Sequence, residues 1–541
     1  MSEALIRTED LTSDEVNKLF VDIKIDRENI NALKSNQPLL LIGSRGTGKT
    51  MLMRKAEQEL DDAFRSQRIL PVYASFATST IYDDIDLIKL MLNKILIALR
   101  MKLKEHGIIV QGSIFKPITY ENLNPIVKKL ETYIKALEGE DDDLNYTNIK
   151  PEINDFNIIN NVDFFREFIS DLCREYNINK IILMFDEACQ IFSPNQQRDF
   201  FNLFRALRSP LIICKAAVYP GLVSYGTFQQ FHDATTKKIE RNILADDYIE
   251  KMREIVKNNY PNEYENMLRK GELLDTIIYC ANGNPRFLLK SLNSILDGEN
   301  TLKAGRVNEI IKDFYRATIW AEHTKLEERY KGHKNLINWS RSFIESVVSR
   351  DIEKINEEAE KQDEKKATIC FAISRNAPEP IKQSIKILEY SGIATLDVEA
   401  TKFRSKIYDR YQLNYGVVLL AGASSNLANK SKILIKKVSL AKFPNYSENS
   451  TVFSGWENLI SNKYFDKNSG ETLRSILSKN IDILDISPKL LLRLKNNNIN
   501  IIQDIFDKEE KELESIEYIG PVRSRKIYNL VLSAVLEYIS G

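Results

Sequence analysis

The feature that most constrains this chain is a glycine-rich octapeptide that directly follows a short apolar run. The run is Leu39 to Ile42, and the octapeptide fits the pattern of a glycine, four free positions and then Gly-Lys-Thr. Its residues are Gly43, Ser44, Arg45, Gly46, Thr47, Gly48, Lys49 and Thr50. Between a strand and a helix, such a loop curls its backbone N–H groups around phosphates, while its lysine neutralises phosphate oxygens and its threonine binds magnesium. The motif predicts a binding site for ATP or a closely related nucleotide, with Mg²⁺.

The region around this loop alternates apolar, strand-like runs with amphipathic helices. The elements predicted after the loop are a helix, a strand, a helix and two further strands: Met51 to Leu60, Ile69 to Phe76, Asp84 to Lys104, Lys180 to Phe185 and Leu211 to Val218. Strands that are apolar almost throughout and alternate with helices belong to sheets covered on both faces. We therefore predict an α/β, three-layer P-loop domain over residues 1–245, with an insertion at about 105–160.

A second chemical element lies at the end of one of these buried strands. The apolar run Ile181 to Phe185 is followed by Asp186 and Glu187. A carboxylate at this place can hold Mg²⁺, usually through water, and its neighbour can orient and deprotonate an attacking water. We assign Thr50 and Asp186 to the metal and Glu187, with Lys49, to catalysis. The pair predicts an ATP hydrolase.

These two elements, in this order, resemble the AAA+ group of P-loop ATPases. The strand Leu211 to Val218 ends where that group carries its first γ-phosphate sensor, and the resemblance gives this role to Tyr219 or, as a second choice, Lys215. Gly283-Asn-Pro-Arg286 resembles the second-sensor motif, in which an arginine at the start of a lid helix reaches the γ-phosphate. The resemblance also implies a homo-oligomer in which an arginine acts on a neighbouring subunit's ATP. The candidates are Arg205, Arg208 and Arg241.

Beyond a fifth predicted strand, near Lys238 to Ile243, the sequence divides into four segments. We predict a helical lid over 246–335, a winged-helix-like domain over 336–425, a linker rich in Ser, Asn and Lys over 426–480 and an all-α helix-hairpin-helix domain over 481–541. The winged-helix prediction rests on a helix, a strand, a basic loop and a strand: Pro380 to Tyr390, Ile393 to Val398, and Tyr411 to Leu420. A winged helix after the lid resembles the origin-recognition and initiator branch of AAA+ ATPases, and the resemblance covers roughly residues 10–425.

The last segment resembles a tandem helix-hairpin-helix module. In such hairpins a tight turn at a helix start points backbone N–H groups at a DNA phosphate, and basic side chains add charge. Gly520 supplies the turn, while Tyr518 stands where the motif usually has another glycine. The residues assigned to DNA are Gly520, Arg523, Arg525 and Lys526. Such hairpins also serve as protein contacts, so both partners stay open.

Charge and cysteine content narrow the class of protein. Lys plus Arg and Asp plus Glu each number 76, so a DNA surface must come from local clustering of charge. The five cysteines are far apart and form none of the close pairs that zinc ribbons or redox sites need. No apolar run is long enough to cross a bilayer. We predict a reduced, cytoplasmic chain without a membrane anchor.

Three functions fit these features. The first is an AAA+ ATPase that couples nucleotide state to assembly on DNA, as initiation, transposition and defence machines do, with a protein partner encoded nearby. The second is an ATP-gated signalling switch of the STAND type, whose C-terminal module binds a partner or ligand. The third is a DNA-binding module in which ATP is structural.

Overall fold

The computed structural model of the chain separates into two compact units. The first unit comprises Met1–Tyr219, Val223–Arg241 and Arg253–Asn259, and the second comprises Pro220–Leu222, Asn242–Met252 and Tyr260–Gly541. The residues that the structure describes are 12–76, 87–109, 124–138, 162–188, 194–296, 301–362, 367–403, 405–421, 427, 430–431, 434, 442–456, 459, 473–484, 486–508 and 510–539.

The first unit alternates helices and strands in the predicted order. Its helices are α1 (Ser13–Leu19), α2 (Lys24–Lys34), α3 (Lys49–Gln67), α4 (Leu87–Glu105), α5 (Pro125–Glu138), α6 (Val162–Glu175), α7 (Pro194–Ala206) and α8 (Gln230–Asp233). Its strands are β1 (Leu39–Ile42), β2 (Ile69–Ser75), β3 (Lys180–Asp186), β4 (Ile212–Val218) and β5 (Thr235–Lys238). These strands form one sheet in the order β2-β3-β4-β1-β5, and every pair in it is parallel. The predicted α/β fold with a parallel sheet is confirmed.

The sheet is covered on both faces, because successive side chains of a strand point in opposite directions. In β3, Ile182 and Met184 belong to one core cluster, together with residues of α2 and α3. Leu183 and Phe185, from the same strand, belong to another cluster with residues of α4, α6 and α7. Strands buried on both sides therefore read as continuous apolar runs in the sequence.

Two predictions for the first unit concern its fifth strand and the insertion at 105–160. The fifth strand is Thr235–Lys238, so its placement near Lys238 to Ile243 was wrong by several residues. Its side chains are mostly exposed at the sheet edge, which leaves no apolar signal in the sequence. Of the predicted insertion at 105–160, the structure describes 105–109 and 124–138, and α5 packs beside α4. The acidic run from 139 to 145 lies outside the described residues.

The second unit is largely helical and carries a second, small sheet. Its helices are α9 (Tyr248–Asn259, which contributes residues to both units), α10 (Tyr264–Leu268), α11 (Gly271–Cys280), α12 (Pro285–Leu296), α13 (Ala304–Asp313), α14 (Trp320–Arg329), α15 (Lys334–Phe343), α16 (Ser349–Lys361), α17 (Glu379–Tyr390), α18 (Tyr415–Leu420), α19 (Pro488–Asn496), α20 (Ile502–Phe506), α21 (Glu510–Leu513) and α22 (Pro521–Ile539). Two π-helical turns, Phe314–Ile319 and Ile344–Val348, and three 3₁₀ turns, Lys331–His333, Thr451–Phe453 and Ile481–Ile483, lie among them.

The second sheet has four strands in the order β7-β8-β6-β9. They are β6 (Cys370–Ser374), β7 (Ala394–Phe403), β8 (Lys406–Leu413) and β9 (Asn445–Tyr446). Strands β7 and β8 form an antiparallel hairpin, and β8 pairs antiparallel with β6. The predicted strand Tyr411 to Leu420 was wrong in its second half, because β8 ends at Leu413 and Tyr415–Leu420 is the helix α18. Strand β9 comes from the segment predicted to be a linker.

Helix α17 is enclosed by other parts of the second unit. Its residues Ile381, Ser384, Ile385, Ile387 and Leu388 are buried. Ile387 shares a core cluster with Leu532 and Leu536 of the C-terminal helix α22. The C-terminal helix α22 thus packs against α17, and the winged-helix arrangement of this region stays a prediction.

The C-terminal module has its own apolar core. It is built from 15 buried residues between Leu473 and Val535, which include Leu494, Ile505 and Ile527. The helices α19 to α22 all contribute to it. The helix-hairpin-helix identity of this segment stays a prediction.

Candidate nucleotide-binding site

The glycine-rich loop lies between β1 and α3, as its sequence context predicts. Gly46 has φ +86° and Gly48 has φ +103°, values that side chains other than glycine rarely adopt. At Gly43 the reason is space, because an added Cβ would lie 2.5 Å from Ile239 Cγ1 and 2.7 Å from Thr47 Oγ1. The glycines are therefore required by the backbone path and by close packing.

Lys49, the first residue of α3, turns back onto the loop. Its Nζ donates to the carbonyl oxygens of Gly43 at 2.5 Å and Ser44 at 3.0 Å. The same amine lies 3.7 Å from the centroid of the Tyr219 ring. Lys49 is 5% exposed, so carbonyl dipoles and an aromatic face stabilise its charge in place of water. A phosphate bound here would contribute a full negative charge.

The acidic pair lies at the same edge of the sheet as the loop, because parallel strands end on one side. Asp186 is 2% exposed and is the last residue of β3. The Tyr73 hydroxyl donates to its Oδ2 at 2.8 Å, and the backbone N–H of Glu187 donates to its Oδ1 at 2.9 Å. These two donors fix the orientation of the carboxylate.

Glu187 has a left-handed backbone, with φ +63°. Such a conformation is costly for a residue with a Cβ, and strain of this kind is concentrated at functional sites. The turn directs the chain out of the sheet directly after the buried Asp186. No sequence motif predicted this conformation.

The residues fit the predicted Mg²⁺ in their chemistry. Carboxylate and hydroxyl oxygens such as those of Asp186 and Thr50 are hard ligands, which Mg²⁺ prefers. Within the described part of the chain, no group of three or more His, Cys, Asp or Glu could hold a metal ion. A cation here would be held by few protein oxygens together with water and phosphate, which is the usual arrangement for Mg²⁺.

The two candidates for the first sensor occupy different places. Tyr219 directly follows β4, is 5% exposed and contacts Lys49 of the loop. Lys215 is inside β4, where it pairs in register with Leu39 at the start of β1. Its amine donates to the carbonyl oxygens of Ala32, Ser35 and Gln37 at the end of α2, at 2.6 to 2.9 Å. The choice of Lys215 as a sensor was therefore wrong, because its amine holds a helix end.

The structure places one candidate arginine finger, Arg241, in contacts within its own unit. Its side chain is 9% exposed, and its Nη2 forms an ion pair with Asp26 Oδ2 of α2 at 2.6 Å. Its Nη1 donates to the carbonyl oxygen of Thr47 in the loop at 3.0 Å. An arginine held inside its own unit cannot act on a neighbouring subunit, so Arg241 was a wrong choice. Arg205 and Arg208 are bonded near Thr227 and Asp233 and remain predictions.

Two acidic residues beside the loop were missed by sequence reasoning. Glu240 Oε1 accepts a hydrogen bond from the backbone N–H of Ser44 at 3.2 Å. Burial raises the pKa of Glu240, and it also raises the pKa of Asp26, where the charge of Arg241 opposes the shift. Neither residue stands in a recognisable motif, since each reaches the loop only through the fold.

Arg286 is an exposed residue in the first turn of α12, in the second unit. The turn before it uses Asn282 at φ +50° and Gly283 at φ +75°, and the side chain of Asn284 accepts a hydrogen bond from Phe287 N at 3.2 Å. These contacts explain the tetrapeptide as a helix start. The sensor role of Arg286 stays a prediction.

The residues predicted to bind DNA lie at the start of α22. Gly520, Arg523 and Lys526 are exposed. Arg525 instead forms an ion pair with Glu510, with its Nε 2.5 Å from Oε2. Tyr518 has φ +77°, so a tyrosine adopts the backbone conformation for which the motif usually has glycine.

Three positively charged side chains lie close to the ring of Tyr518. Arg523 lies 3.9 Å, Lys489 4.5 Å and Arg493 5.1 Å from its centroid. Lys489 and Arg493 belong to α19, whereas Arg523 belongs to α22. Two helices thus place positive charge around one aromatic ring that is 44% exposed.

No helix among the described residues is long and apolar enough to cross a membrane.

Comparison with known proteins finds a family model that is similar to the loop region. Residues 4–60 match the family model described as ORC-CDC6-like. No curated protein matches the chain.

Several solved structures are similar to the chain at low sequence identity. Domain III of the replication initiation protein DnaA from Thermotoga maritima is 13% identical and covers 57% of this chain and 99% of its own, with a TM-score of 0.30. The Aeropyrum pernix ORC1 protein in complex with DNA is 12% identical and covers 77% of this chain and 94% of its own, with a TM-score of 0.31. The Aeropyrum pernix ORC2 protein in its ADPNP-ADP complexes is 11% identical, with coverage of 78% and 92% and a TM-score of 0.31.

The TM-scores are too low for any residue role to be transferred from these structures. The family match, in contrast, covers β1 and the complete phosphate loop. The resemblance predicted from the sequence is therefore confirmed: this chain is similar to the ORC-CDC6-like, initiator-type AAA+ proteins, through the segment that carries its phosphate loop.

Proposed function

We propose that this protein is an AAA+ ATPase that binds and hydrolyses ATP and uses its nucleotide state to control assembly on DNA. The observation that carries the proposal is the meeting of two elements at one edge of the parallel sheet. One is the phosphate loop with Lys49 and Thr50, and the other is Asp186 followed by the strained Glu187. A loop alone is enough to bind a nucleotide, whereas a second carboxylate beside the metal-binding one, here Glu187, supplies a base for hydrolysis.

In this mechanism the loop N–H groups and Lys49 hold the phosphates. Thr50 and Asp186 would hold Mg²⁺, which would neutralise charge on the phosphate oxygens. Tyr73 keeps the Asp186 carboxylate in place through its hydroxyl. Glu187 orients a water and takes its proton as the water oxygen attacks the γ-phosphorus. The bond between the γ-phosphorus and the bridging oxygen breaks, and ADP leaves. Tyr219, in contact with Lys49, and Arg286 are the proposed sensors of the γ-phosphate.

The substitution Glu187→Gln tests the hydrolase. It keeps the size of the side chain and removes its basicity, so ATP turnover should fall by about 100-fold or more while ATP stays bound. Lys49→Ala should abolish binding itself. Glu105→Gln is a matched control, because that side chain is 56% exposed and pairs with Lys102 on α4. Turnover that is unchanged in Glu187→Gln would remove this residue from the mechanism.

Two surfaces of the second unit support DNA as the partner. The first is the C-terminal module, with the cations around Tyr518 and the exposed Gly520, Arg523 and Lys526. The second is the β7–β8 hairpin, in the place of the wing of a winged helix. Its exposed side chains include Phe403 (45%) and Ile407 (47%). Apolar side chains on an exposed hairpin can contact the minor groove. Because α17 is enclosed, we assign DNA contact to these two surfaces.

DNA binding is tested by fluorescence anisotropy at several salt concentrations. Replacing both Arg523 and Lys526 with Ala should weaken binding and lower the slope of log K against log salt by about 2, since each lost phosphate contact lowers it by about 1. Arg525→Ala should have a smaller effect because Arg525 is already paired with Glu510. If DNA neither binds nor accelerates ATP turnover, the DNA part of the proposal fails, and the STAND-type switch becomes the better explanation.

We also propose that ATP drives homo-oligomer formation, with Arg205 or Arg208 acting on the neighbouring subunit's nucleotide. Both arginines are at least partly exposed and lie in the ATPase unit. Mass photometry with and without ATP should show larger species in ATP. Substituting the true finger should reduce turnover in the assembled protein and leave ATP affinity unchanged. A protein that is monomeric in every nucleotide state would contradict this assignment.

A further inference from the structure

The segment 239–241, which follows β5, runs along the phosphate loop. Ile239 packs so closely on Gly43 that no Cβ could be added there, with Cγ1 at 2.5 Å. Glu240 places a carboxylate oxygen 3.2 Å from the backbone nitrogen of Ser44, which donates to it. A carboxylate thus accepts a hydrogen bond from a loop whose N–H groups are suited to phosphate.

Arg241 joins the same loop to helix α2. It donates to the carbonyl oxygen of Thr47 at 3.0 Å and pairs with Asp26 at 2.6 Å. Asp26 is 3% exposed, and its Oδ1 is buried with no hydrogen-bond partner among the described residues. A buried ion pair whose polar atoms are not all satisfied is sensitive to added charge nearby, because little solvent screens it.

This segment lies at the boundary between the two units along the chain. The first unit's segment Val223–Arg241 ends at Arg241, and the second unit resumes at Asn242. Helix α9 begins six residues later, at Tyr248. A displacement of residues 240 and 241 would therefore be passed through the covalent chain into the segment that enters the second unit.

We propose that Glu240 competes with nucleotide phosphate at the loop, and that Arg241 passes the resulting shift to the chain segment from 242 to 259. The competition is electrostatic, because a carboxylate on a loop N–H and a bound polyphosphate are like charges at close range. Glu240 is thus a residue that sets nucleotide affinity, and Arg241 is a positioning residue. This inference rests on the proposed binding of ATP by the loop.

The first experiment measures the affinity of wild type and Glu240→Gln for ATP, ADP and adenosine by calorimetry. The glutamine can still accept the hydrogen bond from Ser44 but carries no charge. We expect ATP to bind about fivefold more tightly to the variant, ADP to gain less, and adenosine to be unaffected, since repulsion grows with phosphate charge. Glu105→Gln is the matched control and should change none of the three affinities.

The second experiment follows hydrogen exchange in peptides from 242 to 259 with and without ATP. Wild type should show an ATP-dependent change in exchange there. Arg241→Lys keeps the positive charge but cannot reach both Thr47 and Asp26 with a planar fork, so the change should be lost while ATP still binds. Circular dichroism checks that Arg241→Lys is folded, and wild type measured in parallel gives the reference response.

The outcomes separate this inference from the proposed function. If wild type does not bind ATP, both fail. If wild type binds ATP but Glu240→Gln leaves the ATP affinity unchanged or lower, the competition is refuted and the ATPase proposal stands. If exchange in 242–259 responds to ATP equally in Arg241→Lys, the transmission is refuted.

Discussion

Lys215 offers a test of how the sheet holds helix α2. Its amine is buried in β4 and donates to three carbonyl oxygens and to Ser35 Oγ, at 2.6 to 3.3 Å. Burial lowers the pKa of Lys215 to about 7 from its ordinary 10.5. Helix α2, which these bonds hold, also carries Asp26, the partner of Arg241 beside the loop.

The perturbation is Lys215→Met, studied between pH 6.5 and pH 9. The pKa of Lys215 is lower in the folded state, so above pH 7 the unfolded state binds more protons than the folded state. The free energy of unfolding of wild type therefore decreases as the pH falls toward 7, where the buried amine becomes charged. The free energy of unfolding of wild type, relative to the variant, should therefore rise with pH. This difference in the free energy of unfolding should rise by at most about 2 kcal/mol between pH 7 and pH 9, since one protonation equilibrium changes it by no more than about 1.4 kcal/mol per pH unit. The value is an upper limit because the four oxygen acceptors favour the charged amine.

The assay is urea unfolding followed by circular dichroism and by tryptophan fluorescence together. Trp320, Trp339 and Trp456, the three tryptophans of the chain, all belong to the second unit, so fluorescence reports that unit and serves as an internal control. Lys238→Met, at an exposed site in β5, is the control variant. A difference between wild type and Lys215→Met that stays constant from pH 6.5 to 9 would show that the carbonyl oxygens keep Lys215 charged, and would refute the reasoning.

Two further substitutions test contacts around the two sites. Tyr73→Phe removes the hydroxyl that bonds Asp186, and we expect the Mg²⁺ concentration for half-maximal turnover to rise about 10-fold, as for other partners of metal-binding residues; an unchanged Mg²⁺ titration would contradict this. Gly416→Ala would place a Cβ 2.0 Å from Tyr315 Cζ, and overpacking of this kind should destabilise the second unit by about 1–3 kcal/mol in urea unfolding followed by tryptophan fluorescence. Adding Tyr315→Leu to Gly416→Ala should recover part of the loss, and a single variant as stable as wild type would show that the ring moves aside freely.

Local sequence signals predicted the core of the first unit well. Strands β3 and β4 are apolar runs because both faces are buried, and the phosphate loop is specified by glycines that its backbone requires. The edge strand β5 carried no such signal, since Thr235–Lys238 is polar and exposed. Tyr415–Leu420 was mistaken for a strand because a short, fully buried apolar run has no period that separates strand from helix. Asn414 decides for the helix, since its side chain accepts a hydrogen bond from Gly416 N.

The sequence by itself determined the chemistry of the site, and the tertiary structure decided how that chemistry is held. Lys49, Thr50, Asp186 and Glu187 could be named from motifs because phosphate and metal binding demand particular side chains at short, fixed spacings. The roles of Lys215, Arg241 and Glu240 depend on which distant segments the sheet brings together, such as β5 beside β1. A charged side chain reads alike in the sequence whether it faces solvent or is buried against a helix end, a carboxylate or a loop carbonyl. Only the fold sets that difference, because the energy of a charge depends on its surroundings.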